Sequence, residues 1–242
     1  MKNLSWIVVG ALSGWWCVLR ARKSIAKARS RNEQFGEAHI ADRTITMWLT
    51  IALSATLFGI CANKFEHDTT VLAFAVLIAY ALQLALIDID THLLPRRTVF
   101  AAVSRGMPLL VVALFVDASG SLLRMFVGAT ALWCCLRFLQ FLSRGDLGSG
   151  DVRLGVLLGM YLGWMSYEAV AVGLLAGFVS AGLFSLVAIA SRRATRTTNI
   201  PFGPFLLAGA LFAVLRGQTA SRRSLCRNFQ EWLPLSPGHQ VA

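Results

Sequence analysis

The chain has 242 residues, 56% of them hydrophobic and only 14% charged. Soluble domains carry about 25% charged residues, and several apolar runs here approach the ~17–25 residues that cross a bilayer core, which excludes an ordinary soluble protein. The net charge of +11 lies in the joints between apolar runs, as orientation-setting loops require, and not on one polar element as a nucleic-acid-binding face would.

The pattern predicts an all-α, multi-pass membrane protein with about eight transmembrane helices. The first segment, about 4–19, begins after a lone lysine and could pass for a signal peptide. It lacks a clear small-x-small cleavage site and is followed by strongly basic residues, so a retained span is expected. Residues 20–43 form the most basic joint and are expected on the cytoplasmic side. Further segments are expected at about 44–62, 70–87, 98–116, 121–142, 154–166, 168–190 and 202–215. Pro108 falls inside the fourth, where neighbouring helices can satisfy the carbonyl it frees. Residues 216–242 read as a polar tail.

With eight spans and the first joint inside, the joints 20–43, 88–97, 143–153 and 191–201 share one face. They hold most of the Lys and Arg, while Glu66, Asp68, Asp117 and Glu168 fall on the other. The basic tail would then lie outside, against the rule, unless a weak span such as 154–166 is miscounted. Trp15, Trp16, Trp48 and Trp164 lie near span ends, where aromatic belts form. Gly10 and Gly14 make a GxxxG pattern that suits close helix packing. Five scattered cysteines form no C-x-x-C, so neither a metal site nor a disulfide framework is suggested.

Two carboxylates stand out. Asp88, in "ALIDIDTHLLP", and Asp151, in "GSGDVRLGVLLGMYLGW", fall at span ends on the same predicted face. Ionisable groups at such depth are costly and mark function. Two carboxylates in a poorly solvated site cannot both ionise easily, so the pair shares a proton. One member can then take a proton from water while the other polarises a carbonyl, with no cofactor needed. From spacing alone, Asp151 is equally well a cap for a helix beginning near Val152. Gly148 and Gly150 permit close backbone approach but would serve a plain turn as well. A phosphate loop is disfavoured because "GSGDVR" has no Gly-Lys-Ser/Thr and follows no strand. His92 reads as an interfacial histidine, Asp146 as a loop carboxylate beside Arg144, and Glu168 as an exposed turn residue.

"ALIDIDTHLLP" resembles the first aspartate motif of the type IV prepilin peptidases, where Asp-x-Asp is followed by a short apolar stretch and Pro-Asp. "GSGDVRLGVLLGMYLGW" is similar to their second motif, Gly-x-Gly-Asp-Val-Lys-Leu, and "NIPFGPFLLAGAL" to a third stretch near the C-terminus. The resemblance covers about residues 70–215 and, more loosely, "GALSGWWCVLRAR" in the first segment. It implies a GxGD-type aspartic membrane peptidase that removes the basic leader of pilin or pseudopilin precursors at the cytoplasmic face, typically after Gly. Carried over by position, Asp88 and Asp151 are the catalytic pair, and Gly148, Gly150, Asp90, Pro95 and Arg153 shape the site. Arg153 stands where the family usually has Lys, and Arg96 follows Pro95 where Asp or Asn is usual.

Long bacterial members carry a Cys-x-x-Cys insert after the first span that accompanies N-methylation. Residues 20–43 contain no cysteine, so zinc binding and methyl transfer are not carried over. The expectation is an enzyme of the bacterial cytoplasmic membrane with no metal or cofactor, whose partners are a pilin-like precursor and the bilayer, not nucleic acid. Residues 1–69 would form N-terminal spans, 70–215 the peptidase core and 216–242 the tail. Two rivals fit the same aspartates: a proton- or cation-coupled transporter, and an inactive homologue that acts in assembly.

Overall fold

The computed structural model describes residues 2–30, 43–65, 68–91, 94–117, 120–143, 147–191 and 201–217. Among these residues every regular element is a helix: α1 (Lys2–Arg29), α2 (Thr44–Lys64), α3 (Asp68–Thr91), α4 (Arg96–Val116), α5 (Leu122–Leu142), α6 (Ser149–Met165), α7 (Tyr167–Ala190) and α8 (Gly203–Arg216). Six of them, α1 to α5 and α7, are long and apolar enough to cross a membrane. The other two, α6 and α8, are shorter, at 17 and 14 residues.

The expected segments and the helices coincide except at functionally telling ends. The first helix does not stop at residue 19 but continues to Arg29 through Arg20, Arg22, Lys23 and Lys27. Hydropathy ends where charge begins, whereas Ala, Arg and Lys are all good helix formers. Likewise α3 runs on through Asp88 and Asp90 to Thr91, whose hydroxyl donates to the Ile87 carbonyl one turn back.

The bundle is built around α3 and α6. The apolar stretch of α3 is 72% buried, against only 17% for α7. Thirteen of the 15 residues from Asp151 to Met165 are buried, which makes α6 an enclosed helix and explains why it can be short. Its glycines recur every fourth residue, at 155, 159 and 163, and bring α5 into backbone contact. A Cβ on Gly159 would lie 2.3 Å from the Gly128 carbonyl oxygen, and one on Gly163 equally close to that of Arg124. The GxxxG pattern of α1 acts in the same way against α2, with Gly10 pressed on Ala55 and Phe58 and Gly14 on Ile51.

Trp164 departs from the aromatic-belt expectation. Trp15, Trp16 and Trp48 are exposed on the outer surface, but Trp164 is fully buried. It packs edge-on against Phe74 of α3 at 5.8 Å and beneath Gly120, whose φ of 81° and lack of a side chain make room for the indole. Tyr161 fills the same interface, its hydroxyl donating to the Ala73 carbonyl at 3.0 Å and its ring 5.4 Å from Phe74. At this end α3 and α4 are tied together, because the Asp117 carboxylate accepts from the Thr70 backbone N–H at 3.0 Å and from its hydroxyl at 2.6 Å. A single residue, Ser166, joins α6 to α7 and caps the latter by accepting from the Ala169 N–H.

Candidate active site

The register of α3 against α6 sets the site. The helices run antiparallel, with Phe74 meeting Trp164 at one end. Fourteen residues separate Phe74 from Asp88 and thirteen separate Asp151 from Trp164, about 21 and 20 Å at ~1.5 Å per residue. The two aspartates therefore arrive at the same level at the opposite end. There the Asp88 charge acts on the Asp151 carboxyl, and both side chains are buried, at 3% and 6% exposure.

Asp151 is not the cap of its helix. Gly148 occupies the cap position, with extended backbone and no side-chain contribution, and its carbonyl accepts from the Asp151 N–H at 3.1 Å. Asp151 is instead the third helical residue, in the first turn, where the peptide dipoles favour negative charge. Its Oδ2 lies against Gly148, close enough that a Cβ there would sit 3.3 Å away. Its Oδ1 is buried with no hydrogen-bond partner among the described residues. Such an oxygen is expensive to leave bare and is positioned to receive a proton or a water.

The remaining expected residues stand at the same helix ends. Asp90, two residues beyond Asp88, is also buried, at 5%. Pro95 caps α4, and its carbonyl accepts from the Thr98 and Val99 N–H groups at 3.0 and 3.3 Å. Gly150 faces Leu94, whose Cβ would be 2.8 Å from a Cβ on the glycine. Arg153 lies on the rim, its guanidinium donating to the Ser149 hydroxyl at 3.4 Å, and it feels the positive charge of the exposed Arg96. His92 and Asp146 lie outside the described residues, as do residues 31–42, 192–200 and 218–242.

Three contributors were not singled out from the sequence. Gly203, the first residue of α8, presses on Asp88: a Cβ there would fall 2.6 Å from Asp88 Oδ2. Its signal was present, since it is the glycine of "NIPFGPF". Leu94 wedges between Gly150 and Gly203, with Cδ1 3.2 Å from where a Cβ on Gly203 would be. Gln140, near the end of α5, donates to the Leu147 carbonyl at 2.9 Å and accepts from the Arg137 guanidinium. The Ser143 hydroxyl accepts from the Leu147 N–H at 3.4 Å, so both polar groups of Leu147 are held just before the Gly-Ser-Gly-Asp turn.

Residues 75–190, which span both aspartates, match the type IV leader peptidase family. A prepilin leader peptidase/N-methyltransferase of Legionella pneumophila is 29% identical over 166 residues, covering 68% of this chain and 57% of the relative. Its counterpart from Stutzerimonas stutzeri is 27% identical over 215 residues, 88% of this chain and 69% of the relative. That of Burkholderia pseudomallei is 31% identical over 171 residues, 70% and 54%. The chain thus spans little more than half the length of several of these relatives. No solved structure matches it significantly.

Proposed function

We propose that this chain, which matches the type IV leader peptidase family over residues 75–190, is a membrane aspartic endopeptidase using Asp88 and Asp151 as its catalytic pair. Its substrates are the basic leaders of type IV pilin or pseudopilin precursors, cut at the cytoplasmic face of a bacterial inner membrane. The observation that carries this reading is the convergence of two buried carboxylates from separate helices, one with an oxygen that has no partner among the described residues.

The chemistry follows from the pair's shared proton. The ionised carboxylate removes a proton from a water molecule, and the resulting hydroxide attacks the scissile carbonyl carbon. The protonated partner gives its proton to the carbonyl oxygen, forming a neutral tetrahedral intermediate. Collapse breaks the C–N bond, the departing nitrogen takes the proton first removed from water, and the carbonyl oxygen returns the other to the dyad. The products are the leader with a new carboxylate and the mature chain with a free amino terminus. The substrate is extended at the cut, because a helical amide is shielded by its own hydrogen bonds. Its apolar helix docks laterally against the spans. Methyl transfer is not included in the proposal, since residues 20–43 contain no cysteine pair.

Co-expression with a pilin precursor tests the assignment. Wild-type protein should remove the leader, while Asp88→Asn and Asp151→Asn should leave the precursor intact at unchanged protein levels. Cleavage surviving in either variant overturns the dyad, and cation transport without any cleavage favours a transporter.

A further inference from the structure

Arg105 stands apart from the site. It is the tenth of the 21 residues of α4 and lies on the exposed surface of the bundle, in a helix long and apolar enough to cross the membrane. Nine residues from the start of α4 place it about 14 Å deep, near the middle of a ~30 Å hydrocarbon core. The guanidinium lies against α3. It donates to the Tyr80 hydroxyl of α3, lies 5.8 Å from that ring, and donates to the Ala101 carbonyl at 3.3 Å. Tyr80 is itself eight residues, or about 12 Å, below Asp88, so both helices agree on the depth.

These contacts hold the group in place but leave its charge unmatched. Tyrosine hydroxyl and backbone carbonyl are neutral acceptors, a guanidinium has five N–H donors, and no carboxylate among the described residues pairs with it. Charged groups at this depth are rare and pair with a counter-charge when they persist. A carboxylate from another molecule would supply that counter-charge, at a depth where lipid headgroups are absent. The neighbouring outward positions suit close approach: Ser104 and Pro108 are exposed and small, with the bulkier Phe100 and Phe115 to either side along α4.

We propose that the α4 face around Arg105 docks a transmembrane helix that presents an acidic side chain at mid-bilayer depth. The carboxylate forms a paired, forked hydrogen bond with the guanidinium, which Tyr80 orients from behind. This interaction lies well below the aspartate pair and does not depend on the peptidase reading.

The test uses the full chain, fluorescently labelled, in phosphatidylcholine vesicles with a synthetic apolar helix of about 20 residues. The helix carries one central Glu, or Gln in the control, and association is read by energy transfer. The Glu helix should associate at least about tenfold more tightly than the Gln helix. Arg105→Gln should abolish that preference, Arg105→Lys should retain part of it, and Asp88→Asn should leave it untouched. Thermal melting of each variant verifies folding. Equal association of the two helices with the wild type, or a preference that survives Arg105→Gln, overturns the proposal.

Discussion

Gly203 approaches Asp88 so closely that a methyl group on it would fall 2.6 Å from Oδ2 and 3.2 Å from Cγ. The start of α8 is therefore the wall against which the Asp88 carboxyl is set. Gly203→Ala should displace that carboxyl and lower the cleavage rate by roughly a hundredfold, the scale of a misplaced catalytic group. Gly182→Ala, where a Cβ would meet nothing within 4 Å, is the matched control and should leave the rate unchanged. Equal rates in the two variants would remove α8 from the site.

If the proposed Asp88–Asp151 pair shares a proton, kcat/KM depends on pH as a bell. Below the optimum both carboxyls are protonated and no base remains; above it both are ionised and no acid remains. Each limb belongs to the pair, so neither Asp88→Asn nor Asp151→Asn should leave a single-limbed residue of activity. A pH–rate profile on a purified precursor, alongside both variants, measures this.

Gln140 holds the Leu147 carbonyl immediately before the turn that delivers Asp151. Gln140→Leu should lower kcat roughly ten- to hundredfold with KM little changed, because substrate contacts remain while Asp151 loses its fixed placement. Gln140→Glu keeps the length but cannot donate when ionised, and should resemble Leu at neutral pH. Steady-state kinetics separate this from general destabilisation, which would reduce the active fraction and spare the kcat of what remains.

Arg96 and Arg153 repel one another on the rim of the site. A basic leader, the proposed substrate, would meet like charge there. Arg96→Asp should lower KM for a basic leader a few-fold at low salt, and the gain should fade as ionic strength shortens the ~10 Å screening length. Initial rates across a salt series decide it; a gain independent of salt would point to loop geometry instead.

At the α5–α6 crossing, Gly159 meets the Gly128 carbonyl with no room for a side chain. Gly159→Leu should cost about 3 kcal/mol or more of stability, since backbone and not a flexible side chain would have to yield. Thermal unfolding in detergent, compared with Gly182→Leu, gives the difference.

The order and placement of the eight described helices are legible because apolar run length and the punctuation of charge mark helices in a membrane. Hydropathy alone does not separate an enclosed helix from a lipid-facing one. Trp164 has the position of an interfacial belt residue, yet its helix is enclosed and the indole fills the core. Asp151 was as easily a helix cap, since "GSG" reads as a break; Ser149 and Gly150 instead form the first turn, with Gly150 kept small by Leu94. That Asp88 and Asp151 lie at one end of the bundle was legible from two motifs on one predicted face. Gly203, Leu94 and Gln140 owe their importance to contacts distant in sequence, which no local periodicity records.

Because α6 is sheathed by its neighbours, it escapes the rules that lipid imposes on a span. It can be short, rich in glycine and tipped with an acid, since protein and not hydrocarbon is its solvent. The outer helices can then vary with bilayer thickness and lipid type while the inner one keeps a constant surrounding. The end of α6 that bears Asp151 is in this way insulated from the membrane.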